Sequence, residues 1–142
     1  MSAVDTLKGF LEAMLAWEVS LNSKKRSSDY KENSDSRDQI NKGARKELAA
    51  IFDKFLTERA VAGLGKAKMD ALGTGRPPEY EQEILADTLT PEGKGMSVET
   101  LRDKGLKQRL KYVFVESPEG PRLNELYIFR GEQVGWARRS SV

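Results

Sequence analysis

The stretch Arg109-Leu110-Lys111-Tyr112-Val113-Phe114-Val115 decides the fold. Successive side chains of an extended strand point to opposite faces. Arg109, Lys111, Val113 and Val115 therefore share one face, and Leu110, Tyr112 and Phe114 share the other. An aromatic, apolar face backed by one that opens with two cations is the pattern of a strand covered on one side only. Downstream, Ser117 to Pro121 is rich in turn residues and Leu123 through Phe129 reads as another strand. Arg130-Gly131-Glu132 reads as a turn, and Val134 to Arg138 as a short last strand around Trp136. Upstream, Met96, Val98 and Thr100 alternate with Ser97 and Glu99. Pro91-Glu92-Gly93 and Lys104-Gly105 mark turns, and Glu83 to Thr90 carries an apolar run at Ile84, Leu85 and Leu89. Strands joined by turns this short must be mostly antiparallel.

The first half of the chain has a different period. Leu7, Phe10, Leu11, Met14, Trp17 and Leu21 form one helical stripe, with Asp5 expected to cap its start. Gly9 should weaken that helix by about 1 kcal/mol relative to alanine. Asn22 to Asp38 is charged, with Tyr30 its large apolar anchor, and reads as an exposed loop. A partner-binding lid is the sharper reading of the same segment. Ile40, Ala44, Leu48, Ile51, Phe52 and Phe55 predict a second helix ending near Gly63. A shorter helix from Lys66 to Leu72 follows, and Gly73-Thr74-Gly75-Arg76-Pro77-Pro78 breaks it. Helices first and strands after give an α+β domain, helices on one face of a curved, mainly antiparallel sheet. No alternating strand–helix units remain for a doubly wound order.

Composition then restricts the chemistry. The 142 residues suit one domain spanning 1–142 and contain neither cysteine nor histidine. Disulfides, thiolate nucleophiles, Cys/His zinc sites and imidazole bases are thereby excluded. With 24 basic and 22 acidic residues, the net charge of +2 argues against a nucleic-acid partner. No run approaches the roughly 20 apolar residues that span a membrane. The opening Met1-Ser2-Ala3-Val4-Asp5 is unlike a signal peptide, so cytoplasmic residence is expected. Gly63-x-Gly65-Lys66 and Gly73-x-Gly75 lack the spacing and preceding strand of a phosphate loop.

In its helix–helix–helix–meander order the chain resembles the NTF2-like superfamily, a cone of helices on a curved sheet. More narrowly, it is similar to the NTF2-fold immunity proteins of bacterial polymorphic toxin systems. The strings that carry the resemblance are Phe10 to Trp17-Glu18, Lys46-Glu47-Leu48-Ala49-Ala50-Ile51-Phe52, Pro77-Pro78-Glu79-Tyr80 and Arg109-Leu110-Lys111-Tyr112-Val113-Phe114. The resemblance implies a small cytoplasmic binding protein that masks one cognate toxin, often a nuclease, with no cofactor and no turnover. Two alternatives stay open because the fold hosts many functions. One is an isomerase or dehydratase using the fold's cavity; the other is a dimeric scaffold or binding domain.

For the binding reading, the candidate interface is the basic set Arg102, Lys104, Lys107, Arg109 and Lys111, helped by the Asn22–Asp38 segment and by Arg138-Arg139 if the last strand pairs suitably. Tyr112 and Phe114 lie on the opposite face, so they do not interleave with this basic stripe as stacking on bases would require. For the cavity reading, Trp17, Tyr30 and Tyr80 are the candidate pocket residues. A buried carboxylate would carry the proton, and Tyr30, Tyr80 or Tyr112 would donate to an oxyanion. Glu18 beside the stripe reads as a solvated or paired carboxylate, and Asp53 as a surface one. Glu79, Glu81 and Glu83 read as a solvated turn rather than a metal site, since a hard cation needs several converging oxygens.

Overall fold

The computed structural model describes residues 2–142. Helix α1 (Ala3–Lys25) buries all six residues of its stripe. Its N-cap is Ser2, whose hydroxyl accepts from Asp5 N at 3.2 Å, while the Asp5 carboxylate reaches back to Ser2 N. Asp5 is thus the returning half of a capping box, not the cap itself.

The segment expected to be a loop is helical. After α1 come α2 (Ser28–Glu32) and α3 (Ser34–Phe55), started by Ser27 accepting from Tyr30 N and by Asn33 accepting from Ser36 N. Helix α2 has no buried residue, so apolar periodicity could not reveal it; local caps sustain it. Helix α3 also stops earlier than its pattern suggests. Leu56 is extended and bridges Leu123, and Thr57 N donates to Leu123 O at 3.0 Å. Thr57 then caps α4 (Glu58–Ala60), which continues through a π-helical stretch (Val61–Gly65) into α5 (Lys66–Ala71). Arg122 donates to Asp53 O and Leu56 O, covering two carbonyls at the end of α3.

Five strands form one antiparallel meander: β1 (Glu83–Glu92), β2 (Gly95–Arg102), β3 (Gln108–Ser117), β4 (Gly120–Phe129) and β5 (Trp136–Arg138). The first turn is tighter than expected, because Pro91 and Glu92 still pair with Met96 and Gly95. Strand β1 is bulged between Leu85 and Thr90. A bulge and a proline on an edge strand discourage edge-to-edge pairing. Helices α1 and α3 cover the inner face, where Val98, Tyr112, Phe114, Leu123 and Leu126 are buried. The N-terminal helices on a curved antiparallel sheet agree with the NTF2-like α+β fold expected above.

The helix layer closes tightly at Gly9. A Cβ built there would lie 3.2 Å from the Phe55 ring, which itself packs edge-on against Phe10. Close approach of α1 and α3 is what this glycine permits. Gly43, exposed on α3, has nothing within 4 Å of such a Cβ. Gly43→Ala should therefore gain about 1 kcal/mol from helix propensity, whereas Gly9→Ala should gain none. Urea unfolding of both variants checks this; equal stabilisation would contradict the tight contact.

Candidate functional site

Two places concentrate chemistry: a buried charge node under the residue 73–80 loop, and the outer face of the sheet. At the node, Glu18 of α1 has no solvent exposure. One of its oxygens accepts from Gly75 N at 2.8 Å and Glu79 N at 2.9 Å, and the other from Tyr80 N at 3.1 Å. The sequence suggested a solvated or paired side chain; the structure makes it a buried anchor. Gly75 is needed here, since a Cβ would sit 2.9 Å from Pro77 O. Thr74 donates to Asn22 Oδ1, and Arg102 Nη2 donates to Pro77 O at 2.7 Å, so the loop is held from both sides. The Arg76–Pro77 peptide is cis.

Lys68 of α5 supplies the compensating cation. Its side chain is buried, and Nζ donates to Gly73 O at 2.8 Å and Glu79 Oε2 at 3.3 Å. The ammonium lies 5.5 Å from the Trp17 ring centre and 5.1 Å from that of Tyr80. Burial pushes the Lys68 pKa below its ordinary value, and Glu79 pulls it back. Trp17 Nε1 donates to Ala44 O at 3.0 Å. Trp17 and Tyr80 therefore do meet, but around a lysine of the chain itself. Tyr30 does not join them: it sits on α2 and donates to Asn41 Oδ1. Sequence reasoning missed Lys68, for which the signal was faint, one of two lysines in a short helix with three charged residues out of six.

The inner face of the sheet holds a second polar group. Tyr112 and Thr100 both donate to Gln82 Oε1 at 2.8 Å. Burial raises the pKa of the Tyr112 and Tyr80 phenols, which keeps them protonated. The buried carboxylate, Glu18, spends its oxygens on loop amides rather than facing these hydroxyls. No catalytic acid–base pair is assembled from the candidate residues. Among the described residues no group of carboxylates converges to hold a metal. Glu79 and Glu81 instead pair with Lys68 and Lys104, and Asp53 is exposed.

The basic set divides three ways. Arg102 shares its face with Thr100 and Val98 and is buried, so it belongs to the loop anchor and not to an exposed surface. Lys104 and Lys107 lie by the β2–β3 turn, paired with Glu81 and Asp103. Arg109 and Lys111 do share the outer face, each with a carboxylate partner, Glu99 and Glu92. Lys111 is further held 4.9 Å from the Tyr127 ring and 5.2 Å from the Trp136 ring. Phe129 packs edge-on against Trp136 at 5.4 Å, and Tyr127 donates to Glu125. That hydrogen bond raises the Tyr127 pKa.

Aromatic rings therefore do accompany the outer basic face, contrary to the single-strand reading. They come from β4 and β5, whose register sets Tyr127 beside Lys111 and Arg138, and Phe129 beside Trp136. Phe129 is 38% exposed and Val134, in the turn before β5, 66%. The outer face is thus an aromatic patch embedded in charges of both signs.

Compared with families of known proteins, residues 2–140 match the family described as NTF2 fold immunity protein. No curated protein and no solved structure gives a match.

Removing the Glu18 carboxylate strands three amides that it alone collects. Glu18→Ala should cost about 3 kcal/mol or more, because buried donors lose a charged acceptor. Denaturant unfolding measures the loss, and amide exchange should accelerate at Gly75, Glu79 and Tyr80. Unchanged protection at those amides would contradict the anchor.

Proposed function

The chain belongs to the NTF2 fold immunity protein family, and from that premise we propose that it binds and neutralises one cognate bacterial toxin by masking its surface or active site, without turnover. The observation that carries the location is the outer sheet face, where the Lys111 ammonium lies 4.9 Å from the Tyr127 ring and 5.2 Å from the Trp136 ring, with Phe129 exposed beside Trp136. A few residues, enriched in Trp, Tyr and Arg, supply most of the affinity in protein interfaces, and charges around them set encounter rate and partner choice. Arg109 and Lys111 already have internal carboxylate partners, so the face presents matched charges around an apolar centre. That arrangement suits a folded protein surface better than a polyphosphate, whose binding rests on uncompensated cations. The encounter is placed in the cytoplasm, and a nuclease is the toxin class to test first.

Neutralisation is the direct assay. Co-expression with the toxin encoded beside this gene should restore growth, and the two proteins should co-purify; neither occurring with any adjacent gene product would sink the reading. The surface has its own test. Trp136→Ala should weaken toxin binding by about 30-fold, roughly 2 kcal/mol, mainly through faster dissociation. Reversing both Arg109 and Lys111 to glutamate should slow association and change its salt dependence. Titration calorimetry and stopped-flow binding separate these effects. Unchanged affinity in both variants would move the interface off this face.

A further inference from the structure

A surface groove of about 650 Å³ runs between α1 and the loop that Glu18 anchors. Asn22 near the end of α1 and Arg26, the residue that caps it, form one wall with Val19 beside them; Arg76, Pro77 and Pro78 form the other. Arg26 and Arg76 are both exposed, and neither pairs with a carboxylate among the described residues. In that they differ from Lys104, Lys107, Arg109 and Lys111, each of which has an internal partner. Val19 is 52% exposed, while the large apolar residues of the α1 stripe are buried. The groove therefore joins an exposed apolar residue, Val19, and the Pro77–Pro78 pair with two arginines that have no carboxylate partner among the described residues.

Its loop wall is already rigid. Glu18 holds Gly75 and Glu79, Thr74 holds Asn22, and Arg102 holds Pro77. A ligand bound here would order little of the protein, which preserves affinity. Planar guanidinium forks match carboxylates in a bidentate manner, and Val19 with Pro77 and Pro78 suits an aliphatic side chain. No aromatic ring lines the groove, which disfavours a nucleic-acid strand because that needs stacking platforms; Glu18, also in the lining, is fully buried with both oxygens held by loop amides and presents no charge to a ligand.

We infer that this groove binds an extended acidic peptide segment of a partner protein, with Arg26 and Arg76 each pairing with a carboxylate and an aliphatic side chain seated on Val19, Pro77 and Pro78. The peptide chemistry follows from the groove itself; that the segment belongs to the toxin rests on the immunity reading above.

The probe is a capped hexapeptide, Glu-Leu-Glu-Glu-Leu-Glu, titrated into the isotope-labelled protein and followed by amide shifts. Shifts should appear at Val19, Asn22, Ser23, Gly75 and Arg76, and should shrink as salt is raised. The Arg26→Glu, Arg76→Glu double variant should bind at least tenfold more weakly. Both positions are exposed, and the same spectrum reports whether the fold persists. No shifts at the groove, undiminished binding by the double variant, or equal binding of the matching lysine–leucine peptide would overturn the proposal. Tighter binding there of a ten-residue oligothymidine would overturn it as well. The titration needs no toxin, so its failure is distinct from failure of the growth-rescue assay.

Discussion

One buried carboxylate organises this molecule. An unpaired charge in a protein interior costs several kcal/mol, so Glu18 can occupy the helix layer only because three backbone amides converge on it. The constraint is mutual. Satisfying Glu18 fixes the loop of residues 73–80, and the fixed loop drops Tyr80 into the core and sets Glu79 beside Lys68. The Lys68 ammonium in turn lies over the rings of Trp17 and Tyr80. The polar groups in this layer are spent on holding α1, α5 and the approach to β1 together. Trp17 and Tyr80 accordingly pack around the chain's own lysine, and Tyr30 lies apart from them on α2.

On the outer sheet face the cations of β3 are neutralised by glutamates of β1 and β2, while β4 and β5 bring the rings. The face is stiff because every strand is paired within one meander, and a stiff surface loses little entropy on association. A protein built to inhibit by occlusion needs this property and not a reactive group. The absence of cysteine and histidine is compatible with such a task.

How much was legible from the sequence follows from the range of the interactions. The α1 stripe and the alternation in β3 are local periodicities, and both were readable as they stand. Helix α2 was misread because it buries nothing and leaves only its serine cap as a signal. Arg102 could have been placed correctly: it shares strand parity with Val98 and Thr100, hence their buried face. Glu18 could not, since its donors lie 57 to 62 residues away and depend on a loop conformation that no local pattern encodes. The Lys111 setting was hidden for a similar reason. Three strands must be placed in register before Tyr127 and Trp136 are seen to flank it.

A structural anchor inside and a fully paired sheet face outside are the features on which the proposal of neutralisation by occlusion rests. Hydrogen–deuterium exchange of the protein, alone and mixed with the toxin encoded beside it, tests that claim most directly. Occlusion by this face would slow exchange across the β4–β5 segment from Tyr127 to Arg138 when the toxin is bound. Unaltered exchange through that segment in a mixture where the toxin is fully neutralised would contradict it.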